Sequence, residues 1–277
     1  MTAASIDPRG LDLAIRDVSV LFSSSRGDVL ALDDLSLDIP AGSFTVVIGP
    51  NGCGKSTMLR LVAGLLPPTG GSVTVGAQAP HPGDGRVGLA FQQPRLVPWR
   101  TTLDNVALPL ELIGVSPSDR RARAADALER VGLGAVTQLR PRELSGGMAQ
   151  RAGLARALIS DPPVLLLDEP FSALDALTRE TFDAELQRLW MDRRRTVVLV
   201  THSVAEAVQL ADRVVVMTPR PGHVARMVEV PLPRPRDADL IGNPTAAAVA
   251  AEVRSALVSG HANELRPWAG SAAEGVA

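Results

Sequence analysis

Four short stretches carry side chains whose types and spacing suit phosphate chemistry. GPNGCGKST, residues 49–57, fits the pattern G-x-x-x-x-G-K-[ST]. In such a loop Gly49, Pro50, Asn51, Gly52, Cys53 and Gly54 present backbone N–H groups that converge on phosphate oxygens. Lys55 adds a point charge able to reach two phosphates, Ser56 offers a hydroxyl to Mg²⁺, and Thr57 can hold the neighbouring phosphate. In VLLLDEP, residues 164–170, Asp168 and Glu169 follow an apolar run. Adjacent carboxylates at the mouth of a buried strand are costly unless something positive or polar meets them. Asp168 suits a metal ion held through water, and Glu169 suits an attacking water; capping a helix or pairing with arginine is the plainer alternative. His202 ends TVVLVTH, and Gln92 follows LAF. A neutral imidazole beside Glu169 could contact a terminal phosphate, although a lone histidine at a strand end is more often structural. An uncharged amide at Gln92 can reach metal or water, and by composition Gln93 is an equal candidate.

LSGGMAQR, residues 144–151, opens a helix on almost no side chain. A helix N-terminus has unpaired N–H groups and the positive end of a dipole, so Ser145, Gly146 and Gly147 leave room for an anion against bare backbone. Met148, Ala152, Ala155 and Ile159 recur at helical spacing and are expected to bury one face.

These groups need a scaffold that brings them together. SFTVVIG (43–49) is a short β-branched strand running into glycine, and KSTMLRLVAGLL (55–66) after it has helical spacing and stops at PPTGG. Strand, loop and helix therefore come in the order that a phosphate loop requires. VLLL and TVVLV have the unbroken apolar character of parallel strands buried on both faces, with polar residues at their C-terminal ends. LDLAIRDVSVLF and VLALDDLSLDI alternate as half-buried strands, and a second hairpin-like stretch is expected around SVTVG (72–76). From Pro94 to about Ser160 the pattern turns helical, with Ser116 and Pro117 opening one helix and its arginines on a solvated face. Ser203 and Glu206 have capping-box spacing after His202. The fold class is α/β: a mostly parallel sheet with flanking helices, an antiparallel β subdomain and an α-helical subdomain. The expected organisation is an extension at 1–10, one nucleotide domain at 11–230 with the helical part at about 94–160, and a weakly specified tail at 231–277.

Composition narrows the class. With 277 residues of which 45% are hydrophobic, the chain can bury a proper core, and a net charge of −2 gives no general attraction to nucleic acid. Cys53 is the single cysteine, which excludes an internal disulfide and fits a reducing compartment. The N-terminal stretch carries charges where a signal peptide needs an apolar run, and nothing approaches the roughly 20 apolar residues of a spanning helix. The expectation is a soluble chain that reaches any membrane through partners. His81, His223 and His261 lack a comparable setting and are expected at the surface.

Taken in order, GPNGCGKST, FQQ, LSGGMAQR, VLLLDEP, SALD and VTH resemble the nucleotide-binding subunit of ATP-binding cassette (ABC) transporters, from about Leu11 to Glu229. The resemblance implies a Mg²⁺-dependent ATPase that works as a homodimer docked head to tail. ATP held by one phosphate loop would then be contacted in trans by Ser145, Gly146 and Gly147 of the other copy, with Asp175 of SALD crossing the interface. It implies an adenine-stacking aromatic at Phe22, where a plain core phenylalanine is the alternative. It selects Gln92 as the metal- and water-sensing glutamine, and Glu169 and His202 as catalytic residues, with Ser56, Gln92 and Asp168 on the metal. PRLVPW and FSALDALTRE resemble one importer branch, for nitrate, taurine, aliphatic sulfonates and similar solutes. Trp99 and its neighbouring arginines would face a helix of the membrane subunit. Implied partners are a second ATPase subunit, two permease subunits and, indirectly, an extracytoplasmic solute-binding protein, with the chain at the cytoplasmic face of the membrane and no nucleic acid bound. Ala149 and Ala152 depart from the residues common after the signature and bear on packing. A soluble cassette acting on nucleic acid or ribosomes is the alternative; such relatives generally join two cassettes or carry a long coiled-coil insertion, and neither is present.

Overall fold

A computed structural model describes residues 10–25, 27–171, 176–236, 240 and 242–262. The described residues form two sheets and a helical unit. Strands β1 (Leu13–Phe22), β2 (Val29–Ile39) and β4 (Gly70–Val75) form an antiparallel sheet in the order β2-β1-β4. The larger sheet has the order β5-β6-β7-β3-β8-β9, from β5 (Val87–Ala90), β6 (Val164–Asp168), β7 (Thr196–Thr201), β3 (Phe44–Ile48), β8 (Arg213–Met217) and β9 (Val224–Glu229). Its pairs are parallel except β8 with β9, at one edge.

Every residue of β3, β6 and β7 is buried, and alternation decides which core each enters. Val46, Ile48, Leu165, Leu167, Val197 and Leu199 face one core, which also holds Leu186 and Trp190 of α5 (Ala176–Arg193) and Ala207 and Leu210 of α6 (Val204–Leu210). Val47, Leu166, Val198 and Val200 face the other, between this sheet, α1 (Lys55–Val62) and the antiparallel sheet. A sheet covered on both faces explains why these strands read as unbroken apolar runs. The third core belongs to α2 (Thr102–Leu112), α3 (Pro117–Arg130) and α4 (Gly146–Leu158), around Val106, Leu110, Leu128, Ala152 and Ala155. Ser116 caps α3 as expected, its Oγ accepting from Asp119 N at 3.2 Å.

Two sequence expectations change. SVTVG forms no hairpin of its own: β4 pairs antiparallel with β1, Val75 opposite Leu13, because β1 offers an open edge and the residues after Gly76 make only an isolated bridge at Gln78. The weakly specified tail contains α7 (Pro244–Ala262), whose Ala246, Val249, Val253 and Ala256 enter the main core. Arg236 fastens the segment before it. Its buried guanidinium donates to the carbonyls of Val208, Ala211, Val230 and Leu232 at 2.9, 2.6, 3.2 and 2.9 Å. No helix among the described residues is long and apolar enough to cross a membrane.

Candidate active site

The phosphate loop begins where β3 leaves the sheet. Gly52 and Gly54 have φ of 78° and 102°, a region that glycine enters without strain, and Gly54 starts α1 in that left-handed conformation. No Cβ fits at Gly54, where it would stand 2.5 Å from Leu32 Cδ2. The loop wraps Lys55, whose Nζ donates to Gly49 O and Pro50 O, each at 2.8 Å. Cys53 is buried beneath it, and burial pushes its thiol up from the ordinary range, so it stays neutral. The Cys53 N–H turns inward to Pro50 O at 3.4 Å.

Parallel pairing carries Gln92, Asp168, Glu169 and His202 to the same end of the sheet. Ser56 Oγ donates to Asp168 Oδ1 at 2.9 Å. Asp168 lies at the end of β6 and is buried, and its carboxyl is raised chiefly by that burial, with Glu169 adding in the same sense and the Ser56 hydrogen bond opposing. A buried carboxylate beside a hydroxyl, with its negative charge only partly met, is a donor set that suits a hard divalent cation. No cluster of three or more His, Cys, Asp or Glu side chains able to hold a metal is found among the described residues.

Glu169 sits at φ 44°, a left-handed value uncommon for a residue with a side chain, and its N–H donates to Val200 O of β7 at 2.9 Å. This turn leaves the carboxylate where Gln92 Nε2 donates to Oε2 at 2.9 Å and His202 Nδ1 stands 3.7 Å from the same oxygen. Gln92, the first of the pair, is therefore the one that meets Glu169. One cavity of about 800 Å³ is lined by Phe22, Asn51, Gly52, Gly54, Lys55, Ser56, Thr57, Gln92, Glu169 and His202, with Val29, Ala31 and Arg220. Phe22 is 40% exposed, free to offer a ring face rather than locked in the core.

The signature residues lie elsewhere. Ser145 caps α4 with Oγ accepting from Met148 N at 3.2 Å, and Ser145 and Gly146 are exposed. None of Ser145, Gly146 and Gly147 lines the cavity. Their helix is nevertheless tied to the Gln92 segment. Gln150 Nε2 donates to Phe91 O at 3.4 Å, and Arg156 donates to Pro94 O at 2.5 Å and Arg95 O at 3.0 Å. Asp175 lies outside the described residues. His81 and His223 are exposed, as expected; the side chain of His261 also lies outside the described residues.

Two features of the site escaped the sequence reading. Arg220 lines the cavity from a Pro- and Arg-rich stretch that had no pattern to mark it. Beneath His202, Glu206 forms half of the expected capping box: Ser203 Oγ accepts from Glu206 N at 3.2 Å, but the carboxylate accepts from Thr201 Oγ1 at 2.5 Å. Ser203 N donates to Thr201 Oγ1 instead, at 3.0 Å, so the local hydroxyl displaces the carboxylate.

The chain is similar to known proteins. The model of the ABC transporter family matches residues 32–172. An aliphatic sulfonates import ATP-binding protein of Mesorhizobium japonicum is 51% identical over 210 residues, covering 76% of this chain and 77% of its own. A taurine import ATP-binding protein of Burkholderia thailandensis is 47% identical over 213 residues, covering 76% and 82%. An uncharacterized ABC transporter ATP-binding protein of Methanocaldococcus jannaschii is 45% identical over 232 residues, covering 83% and 86%. Among solved structures, a dimeric ATP-binding cassette in a post-hydrolysis state with ADP and phosphate superposes with a TM-score of 0.71 at 32% identity, covering 79% of this chain and 98% of that one.

Proposed function

The chain belongs to the ABC transporter family, and on that premise we propose that it is the Mg²⁺-dependent ATPase subunit of an importer for a small solute, of the aliphatic sulfonate, taurine or nitrate kind. The observation that carries the reading is the convergence of Lys55, Ser56, Gln92, Glu169 and His202 on the lining of one cavity, with Asp168 hydrogen-bonded to Ser56. ATP would supply the phosphoanhydride to be cleaved, and Mg²⁺ held by Ser56, Asp168 and Gln92 would neutralise charge on its phosphates. Lys55 then exchanges its two carbonyl partners for phosphate oxygens. Glu169 orients and polarises the attacking water, Gln92 fixes which carboxylate oxygen is free to do so, and His202 holds the far side. Phe22 stacks on the base.

Exposed signature residues outside the chain's own cavity support a homodimer in which Ser145, Gly146 and Gly147, with Asp175, complete the partner's site. Contacts to both subunits favour the closed dimer until hydrolysis removes them, a population shift by differential binding. A groove beside edge strand β5, lined by Leu89, Phe91, Leu108 and Leu112 with Trp99 exposed nearby in sequence, supports docking of a permease helix. The solute-binding protein is met only through that permease. We assign the ATPase unit to residues 11–230, with 94–160 as its helical part, and place it on the cytoplasmic face of the membrane. Action on nucleic acid is not favoured by a net charge of −2.

Glu169→Gln tests the reading. With ATP and Mg²⁺ it is expected to stop turnover and accumulate as a dimer in size-exclusion chromatography with light scattering. In a deletion strain it is expected not to restore growth on taurine, alkanesulfonate or nitrate where the unaltered gene does. Turnover retained by the variant refutes the catalytic assignment.

A further inference from the structure

Two basic side chains line the nucleotide cavity, Lys55 and Arg220, and the phosphate-loop pattern accounts for only the first. Arg220 stands on the connection between β8 and β9. That connection is built against the phosphate loop. A Cβ on Gly222 would fall 1.9 Å from Cys53 O, so only glycine allows the approach. Gly222 N donates to Ala31 O at 3.0 Å, and Asp33 N donates to Gly222 O at 3.2 Å, fixing the connection to β2. Across its neck Thr218 N donates to His223 O at 3.0 Å, and His223 N to Thr218 Oγ1 at 3.1 Å.

From this base the Arg220 guanidinium reaches over the loop, where Nε and Nη2 both donate to the single carbonyl oxygen of Gly52 at 3.2 Å. Two donors sharing one neutral acceptor leave the fork underused, and no acidic side chain pairs with Arg220 among the described residues. A guanidinium fork is matched to an anion with two oxygens, and its bonds to such an anion are shorter and stronger than those to a neutral carbonyl.

We propose that Arg220 is a second cationic ligand for the terminal phosphates of the bound nucleotide, acting beside Lys55 from outside the phosphate-loop motif. This rests on the ATPase reading above. Gly52 O is the resting partner that the guanidinium exchanges for phosphate oxygen. The contribution therefore depends on how many phosphates the nucleotide has.

Calorimetric titration of ATP, ADP and AMP into Glu169→Gln protein, alone and combined with Arg220→Ala, Arg220→Lys or Lys55→Ala, tests this without relying on turnover. Arg220→Ala is expected to weaken ATP by at least about tenfold, ADP less and AMP under about twofold, and Arg220→Lys to recover only part of the loss. Unchanged ATP affinity in Arg220→Ala overturns the proposal. So does an equal loss for all three nucleotides, which marks a brace on the loop rather than a phosphate ligand. If Lys55→Ala binds ATP as tightly as its parent, the nucleotide reading of the cavity fails instead.

Discussion

Replacing Asp183 with asparagine should remove a pH dependence of stability that the wild-type fold carries near neutrality. Asp183 lies on α5 with 3% of its surface exposed, and its Oδ1 has no hydrogen-bond partner among the described residues. Burial, first, and then the charges of Glu206 and Glu180 push its carboxyl up to about 8, against the opposing pull of Arg179. In the unfolded chain the same group ionises near ~3.9. The folded state thus holds a proton that the unfolded state gives up. Stability from this group is complete below the unfolded value and is lost as pH rises towards the folded one. Each pH unit within that window is worth at most about 1.4 kcal/mol, and the slope fades near the upper end. Between pH 6 and pH 8 the wild type should therefore lose about 2 kcal/mol relative to Asp183→Asn, whose amide does not titrate. For a chain of this size that is roughly 5 °C of melting temperature. Thermal melts of both proteins across that range measure it, and the histidines, common to both, cancel in the difference. A gap that stays constant with pH would refute the protonated carboxyl.

Two further substitutions probe the scaffold around the site. Gly222→Ala places a Cβ against Cys53 O, 1.9 Å away, so the connection must leave the phosphate loop. ATP affinity measured by titration should fall by about tenfold or more, the cost of losing one charge-assisted contact and disturbing the loop. Arg236→Met removes the donor that satisfies the carbonyls of Val208, Ala211, Val230 and Leu232 while keeping an apolar stem. Stability by urea unfolding should drop by about 3 kcal/mol, because those acceptors stay buried. An unchanged midpoint would mean that water replaces the guanidinium.

Much of the core was legible because its constraints are local. β3, β6 and β7 are short, fully buried and rich in branched residues, and their C-terminal ends carry the polar groups. The helix caps at Ser116 and Ser145 form as their residue types require. The pairing of β4 with β1 was not legible, since residues 72–76 are half a strand's worth of pattern and their partner is some 60 positions away in sequence, as in Val75 opposite Leu13. Nor was α7 legible as a core helix. Its alanines give a weak amphipathic signal, and the seat for Val249 and Val253 exists only once α6, β8 and β9 are assembled.

At the site, sequence marked residues whose chemistry follows from type and spacing: the glycines, Lys55, Ser56, Asp168 and Glu169. It had no means to mark groups that matter through where their backbone goes. Arg220 depends on a glycine two positions later that lets one connection touch another far away in sequence, Gly222 against Cys53. Gln92 was identified, but not what holds it. Arg156 reaches across from α4 to two carbonyls in the turn after Gln93, and Gly153 lets Pro94 Cβ come within 3.3 Å of where its Cβ would stand. Arg95, at φ 46°, folds back to place its guanidinium 4.9 Å from the Phe91 ring centre. The side chain that touches Glu169 and the helix that presents Ser145 are therefore joined by a short, tightly packed segment. The contacts that join the Ser145 helix to the residue beside Glu169 thus lie outside every phosphate-binding motif.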